Sequence, residues 1–287
     1  MPSFLITGAD GQLGQCFRTV AAEFPNHHLI FTNRKEVDLV RPETLRNYFD
    51  TNPFGGIINC AAYTQVDKVE EESDKAFQIN AEGVQNLATF AGEKKLSLVH
   101  FSTDYVFDGT ASVPYRETDQ CDPINTYGQS KYEGEQLLAK AKCLHTTFRI
   151  SWLFSPFGTN FVKTILQLSK NKKQLDVVQD QWGRPTYGVD LARAVLTHID
   201  QPTFFDFNCY HFAQRGVTTW FDFAQKIVGL TKSLCKISPR TTAAYPTAAK
   251  RPVYSVLDTM RIKNHLSLQP LWWEATLEDC IKRIEAG

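Results

Sequence analysis

The sequence predicts an α/β fold of Rossmann type: a doubly wound parallel sheet with a smaller C-terminal lobe. Three observations predict it. The chain opens on a short apolar run, Ser3-Phe4-Leu5-Ile6-Thr7, followed at once by Gly8-Ala9-Asp10-Gly11-Gln12-Leu13-Gly14. Four more short apolar runs, at 29–32, 56–59, 96–101 and 146–150, alternate with stretches of helical periodicity. Runs this brief are strands, and strands alternating with helices build a parallel sheet covered on both faces. After Trp152 the alternation weakens, as expected of a separate lobe packed on the sheet.

The elements follow in order. Strand 3–7 feeds the glycine-rich turn, and a helix runs from there to about 24. Strand 29–32 precedes a helix over 42–50, with Pro42 at the first turn, where its missing N–H is not needed. Strand 56–59 leads to a helix over 73–91. Ser73 is a suitable N-cap for it, and Ala76, Phe77, Val84, Leu87 and Ala88 lie at helical spacing. Strand 96–101, a helix over 124–141 and strand 146–150 complete the regular part. Further helices are expected at 160–169, 190–199 and 218–228, the last with Phe221, Ala224, Ile227 and Val228 on one face. The division expected is a dinucleotide-binding domain over 1–151, rejoined by a return segment around 187–213, and a substrate-binding lobe from 152–186 and 214–287.

The chain has 287 residues, 43% hydrophobic and 22% charged, ordinary for a globular protein with a large core. A formal net charge of zero argues against a nucleic-acid or anionic-membrane partner. The start, Met1-Pro2-Ser3, lacks the basic and apolar regions of a secretory signal, and no apolar run is as long as a membrane span. Seven scattered cysteines without a C-x-x-C pair indicate reduced thiols in the cytoplasm, not a disulfide frame or zinc site.

Gly8-x-x-Gly11-x-x-Gly14 carries the first chemical signal. Glycines let backbone approach a phosphate closely, and the helix that follows offers free N–H groups to an anion. The strand before and the helix after are the context this motif requires; a ligand-free β–α turn is the plain alternative. The second strand ends Thr32-Asn33-Arg34, without the acid that grips a ribose 2′-hydroxyl. Arg34 can pair with a 2′-phosphate, which favours NADPH and leaves NADH open; a solvated arginine fits equally. Asp38-Leu39 can border the adenine. Asn59-Cys60-Ala61-Ala62-Tyr63-Thr64 closes the third strand, where small Ala61 and Ala62 let a cofactor lie against the backbone or simply pack.

The chain's centre of interest is 102–131, from Ser102-Thr103-Asp104 to Tyr127 and Lys131. Tyr127 and Lys131 share a helix face at i and i+4. A cation beside a phenol favours phenolate and lowers the tyrosine from its usual value of about 10, making it a proton donor or acceptor near neutrality. Thr103 supplies a third hydroxyl. Chance alone gives about one Tyr-x-x-x-Lys among this many tyrosines, so the pair gains weight only from its context.

That context is a resemblance. TGADGQLG, CAAYTQVD, FSTDYVFDG, NTYGQSKYEGE, RISWLF, NFVKTIL and DQWGRPTY with DLA after it occur in this order. Together they resemble the dTDP-4-dehydrorhamnose reductases within the extended short-chain dehydrogenase/reductases. The match is good over the first two-thirds and looser beyond about 200, where Arg251-Pro252 and Trp272 are recognisable points. The resemblance implies a cytoplasmic reductase that converts dTDP-4-dehydro-6-deoxy-L-mannose to dTDP-L-rhamnose. It implies Tyr127 as proton donor, Lys131 on the nicotinamide ribose and Thr103 completing the triad. It implies cofactor contacts from Gly8, Asp10, Gly11, Gln12, Leu13, Asp38, Leu39, Ala61, Ala62, Tyr63, Thr64 and Ser102. Val66, Thr103, Asp104 and Trp152 match positions around the sugar nucleotide, and Asn80 matches an asparagine that braces the active-site strand. Some members dimerise through magnesium held by acids. Gln15 stands after Gly14 here, so no metal ligand is assigned, and magnesium and a homodimer stay open.

Other residues read as structural: His100 within its strand, Glu70-Glu71-Glu72 as a solvated helix approach, Trp272-Trp273 as packing. Two rivals remain at this point. A non-enzymatic NADP-binding regulatory subunit, like that of methionine adenosyltransferase, shares the TDYVFDG run. A nucleotide-sugar epimerase or dehydratase shares the superfamily, though Tyr105 stands where dehydratases commonly have an acid.

Overall fold

The computed structural model describes residues 1–286. The first half alternates as its apolar runs dictate: β1 (Ser3–Thr7), α1 (Gln12–Val20), β2 (His28–Phe31), α2 (Pro42–Thr51) and β3 (Gly56–Asn59). Two short helices, α3 (Val66–Val69) and α4 (Ser73–Phe77), lead through a π-turn at Gln78–Glu82 into α5 (Gly83–Lys94). Then come β4 (Ser97–Thr103), α6 (Thr126–Ala139) and β5 (Leu144–Ile150). The second half has shorter strands: β6 (Leu153–Phe154), α7 (Phe161–Asn171), β7 (Gln174–Val178), β8 (Trp182–Gly183), β9 (Thr186–Tyr187), α8 (Gly188–His198) and β10 (Cys209–Phe212). It closes with β11 (Thr218–Thr219), α9 (Trp220–Gly229), β12 (Lys236–Arg240), α10 (Met260–Leu266) and α11 (Trp273–Ala286).

Six strands form one parallel sheet in the order β10-β5-β4-β3-β1-β2. Successive residues of the central strands serve opposite faces, as the period of a strand requires. Phe4, Ile6, Ile58 and Val99 join the large core shared with α1, α8 and α9; Leu5, Ile57 and Leu98 join the core under α2 and α5. The chain steps from β1 out to β2, then back to β3 on the other side of β1. This reversal opens a crevice at the carboxyl ends of β1 and β3, where doubly wound sheets hold their ligands. Three two-stranded pairs, β11 with β8, β12 with β7 and β6 with β9, organise the second half.

The observed elements correct several sequence readings. The expected single helix over 73–91 is interrupted by the π-turn, and Ser73 is its first helical residue, not its cap. The interruption falls where Asn80 turns its side chain toward other elements. There α6 passes so close that a Cβ on Gly134 would lie 2.0 Å from the Asn80 carbonyl oxygen. Helix α6 begins at Thr126, with Asn125 as its cap; Asn160 caps α7, and Thr219 caps α9 after pairing in β11. Among the described residues, no helix is long and apolar enough to cross a membrane.

Candidate active site

The glycine turn is built by close approach. Gly8 has φ +63°, and a Cβ there would sit 2.7 Å from the Ala61 backbone; one on Gly14 would sit 2.5 Å from the Ala9 Cα. Neither position tolerates a side chain, so β1, its turn and the end of β3 close on one another. Helix α1 then starts with Gly11 as N-cap and no side-chain cap, leaving its first N–H groups free for an anion. Gln12 Nε2 is buried without a partner and faces the same space, as does the buried, unpartnered Ser102 Oγ. The turn thus fits a dinucleotide pyrophosphate.

Lys131 is brought in by α6 and is only 2% exposed. Its Nζ donates to the Phe101 carbonyl at 2.7 Å and lies 3.4 Å from His100 Nε2. From there a buried chain crosses the sheet: His100 Nδ1 to Asn59 Nδ2 (3.1 Å), and Thr7 Oγ1 donating to Asn59 Oδ1 (2.7 Å). Burial pushes Lys131 down to about 8 and, with the Lys131 charge beside it, keeps His100 well below the usual imidazole range. His100, read from sequence as structural, therefore touches the amine of a candidate catalytic residue.

Helix α6 is fixed at its start by Asn125, whose Oδ1 accepts the Gly128 N–H at 2.7 Å, and by Glu70, which takes the N–H and hydroxyl of Thr126 at 3.0 and 2.7 Å. Glu70 is thus part of the helix's support, and Glu72 accepts the Tyr63 hydroxyl, so the acidic run is more than a solvated approach. Gly128 lets α6 dock on the turn after β4: a Cβ would lie 2.1 Å from the Tyr105 carbonyl oxygen. Asn80 braces the same helix to the loop after β3. It accepts the Tyr63 N–H (2.8 Å) and donates to the Tyr63 carbonyl (3.0 Å) and to Ser130 (3.0 Å). Buried Arg149 of β5 adds an ion pair to Glu135 at 2.7 Å.

These supports hold Tyr127 edge-on to Tyr105, with ring centroids 6.0 Å apart, at the mouth of β4 beside Thr103. One expectation needs correcting. Desolvation pushes the Tyr127 phenol up, opposed by its hydrogen bond with Thr103 and reinforced by the Asp104 charge. The Lys131 amine points to Phe101 and His100, and burial outweighs any downward pull on the tyrosine. Tyr127 therefore holds its proton at neutral pH. Asp104 is buried as well and is pushed up to about 7 by desolvation.

Trp152 follows β5 with φ +50°, an uncommon conformation for a bulky residue. It stacks on Trp220 with ring centroids 3.6 Å apart, over Gly183, where a Cβ would lie 2.5 Å from the indole. The loop before α7 reaches over the other wall, Gly158 lying against Gln12. The resulting cleft, about 770 Å³, gathers Asp10, Gly11, Gln12, Leu13, Ala62, Thr64, Ser102, Thr103, Asp104, Tyr127, Lys131 and Trp152. A hollow of about 840 Å³ between the ends of α7, α9 and α11, rimmed by Lys170, Lys172, Lys173 and Lys232, contains none of the candidate residues.

The remaining candidates stand behind or beyond this cleft. Gly8, Ala61 and Tyr63 support its wall by the contacts given above. Val66 opens α3 just past Thr64 and Gln65. Arg34, Asp38 and Leu39 lie at the far end, past β2, which is tied to the glycine turn by Ala9 N–H on the Thr32 carbonyl (3.0 Å). There Asp38 Oδ2 takes Arg34 Nε at 3.4 Å and Arg41 Nε at 3.3 Å. Leu39 is buried against Gly83. Sequence reasoning missed Arg41, though its charge three residues after Asp38 was a usable signal. It also missed Trp220, which had none. Arg251, noted in the sequence, clamps Asp67 of α3 at 2.7 Å and joins the late segment to the cleft's rim. Gln15 donates to the Asp10 carbonyl, and among the described residues no three or more His, Cys, Asp or Glu side chains form a group that could hold a metal ion.

Comparison with known proteins gives the following. Residues 2–286 match the family model described as the RmlD substrate binding domain. A dTDP-4-dehydrorhamnose reductase of Aggregatibacter actinomycetemcomitans is 38% identical, over 97% of this chain and 98% of that protein. A crystal structure of a dTDP-4-dehydrorhamnose reductase from Clostridium acetobutylicum superposes with a TM-score of 0.93 at 38% identity, covering 99% of each chain. One from Bacillus anthracis, solved in complex with NADP, gives 0.93 at 35% identity, covering 98% of this chain and 99% of that one.

Proposed function

The chain belongs to the dTDP-4-dehydrorhamnose reductase family, and on that premise we propose that it reduces the 4-keto group of dTDP-4-dehydro-6-deoxy-L-mannose to give dTDP-L-rhamnose. It is an NADP-dependent oxidoreductase of dTDP-rhamnose biosynthesis. The observation that carries the reading is the meeting of Thr103, Tyr127 and Lys131 in the same cleft as the bare N-terminus of α1.

Bound NADPH supplies a hydride to the keto carbon. The chain's own residues do the rest. The free N–H groups of α1 and the Gly8–Gly14 turn hold the pyrophosphate, with Gln12 as an added donor. Arg34, joined by Arg41, holds the 2′-phosphate, which an arginine's planar fork suits well. Lys131, anchored on the Phe101 carbonyl, holds the nicotinamide ribose and places a positive charge near Tyr127. Tyr127 gives its proton to the ketone oxygen as that oxygen gains charge, and Thr103 hydrogen-bonds the same oxygen. Trp152, held by Trp220, and Val66 border the sugar nucleotide. In this reading the sheet carries the cofactor, while 152–186 and 214–287 carry the substrate. All seven cysteines are free, which suits the cytoplasm.

The test is NADPH oxidation by the purified protein with the 4-keto dTDP sugar, beside thermal unfolding with dTDP added in the presence of NADP. Turnover and a raised melting temperature are expected, the latter by mass action on the folded state. Tight NADPH binding with no turnover on any 4-keto nucleotide sugar would instead favour a regulatory protein.

A further inference from the structure

Thr103 ends β4 with an oxygen that has several partners and one proton. Its Oγ1 accepts the Tyr105 N–H at 3.1 Å and donates to Asp104 Oδ1 at 3.2 Å. Tyr127 meets the same hydroxyl from α6. A Thr103 that donates to Asp104 has no proton left for a substrate oxygen. Asp104 itself is 2% exposed, and its Oδ2 is buried without a hydrogen bond. A carboxylate in that position is short of donors, whereas the neutral acid brings a donor of its own.

We infer that the protonation state of Asp104 sets the direction of the Thr103 hydroxyl. The neutral acid leaves Thr103 free to donate to the oxygen of the reacting ketone, and the carboxylate draws that proton away. Asp104 is then a positioning residue that acts through Thr103. The inference rests on the reductase reading for the identity of the reaction.

The surroundings agree. Ser255 faces the Asp104 carboxyl from the segment after β12, and with Thr103 it favours the ionised form; burial outweighs both and holds the group at about 7. Tyr105 and Tyr127 face it from the neighbouring turn and from α6, and each is pushed up chiefly by burial and further by its charge. Arg251 acts on Tyr105 but is itself paired with Asp67. Because the folded value lies above the usual carboxylate range, the acid prevails below about 7 and the carboxylate above it.

The experiment is the pH dependence of kcat, at saturating NADPH and ketone, for the parent, Asp104→Asn, Thr103→Val and the double variant. In the parent, kcat should fall across neutrality toward the level of the Thr103→Val variant. The amide introduced by Asp104→Asn donates as the acid does. This variant should therefore lack the step in kcat across neutrality that the parent shows, while any fall above about 8, where Lys131 loses its proton, is common to both. In the Thr103→Val background the Asp104→Asn change should alter kcat by less than about twofold. Infrared difference spectra should show a protonated carboxyl that titrates near neutrality in the parent and is missing in Asp104→Asn, a readout independent of turnover. A fall across neutrality that survives unchanged in Asp104→Asn overturns the inference. So does an equal loss from Asp104→Asn with and without Thr103, or an Asp104 that titrates in the ordinary carboxylate range. A parent that reduces no ketone while its infrared titration is intact overturns the reductase reading instead.

Discussion

Replacing Tyr127 by phenylalanine removes one oxygen and one transferable proton and little else. The ring keeps its edge-on contact with Tyr105 at 6.0 Å, and the helix that carries it stays fixed by Asn125, Glu70 and the Glu135–Arg149 pair. The stability lost is that of one hydrogen bond, about 1 kcal/mol. The chemical loss is larger. The phenol is held protonated at neutral pH by its dry surroundings. It is therefore the acid, and its loss leaves Thr103 beside the reacting oxygen without it. Losing a positioned general acid costs on the order of 10² to 10⁴ in rate, or about 3–5 kcal/mol in activation free energy. NADPH oxidation with the 4-keto dTDP sugar reads kcat, and fluorescence titration reads cofactor affinity. The expected result is a kcat lower by that factor with the NADPH Kd changed by less than about twofold. Parent-like turnover would refute the tyrosine mechanism. Loss of NADPH binding along with turnover would move Tyr127 from acid to cofactor support.

Lys131→Met should weaken NADPH binding and abolish most activity, yet stabilise the fold at neutral pH. The folded lysine loses its proton at about 8 and the unfolded one at about 10.5. Between these values the unfolded chain binds more protons, so parent stability rises with pH there, and the parent should be the worse by about 3 kcal/mol near neutrality in urea unfolding. A stability advantage of Lys131→Met that does not shrink at high pH would show that the cost is not ionic. Arg34→Ala and Arg41→Ala should each reduce the NADPH-over-NADH preference about tenfold in Kd, while NADH affinity holds; unchanged ratios would place the 2′-phosphate elsewhere. Glu135→Gln leaves Arg149 buried without its counter-charge and should cost about 3–5 kcal/mol in denaturant unfolding, a value that an exposed pair would not approach.

The central strands are legible because buried parallel strands read as short, continuous apolar runs, and the run at 56–59 coincides with β3. The apolar run of β4 ends at Phe101, two residues before the strand does. Ser102 and Thr103 are polar but buried, facing the crevice, so the hydrophobic signal fades at the point where the strand turns chemical. The π-turn is invisible in the sequence for the opposite reason. Helical periodicity runs through it unbroken, and the residue packed closest against it there, Gly134, lies in another helix. The four-residue β10, Cys209-Tyr210-His211-Phe212, is as long as β3, but the histidine within it breaks the continuous apolar run that announces a buried strand.

The site divides along the same line. Spacing within one segment reveals the glycine turn and the Tyr127–Lys131 face, because both are local geometry. The acidities come from residues far away in the chain. Lys131 lies low because α6 drives it into the sheet beside His100, and no feature of 124–141 states that. Trp152 lies flat over Gly183 because Trp220 backs it, and its φ of +50° is a cost that only this packing sustains. Asp104 makes the argument sharpest. Its place after Thr103 marks it as a residue at the mouth of a strand. Its burial, which outweighs the pull of Ser255 and Thr103 toward the ionised form, is what pushes it up to about 7. A sequence can therefore nominate the groups of this site, but which of them hold protons is decided by how deeply the folded chain buries each one.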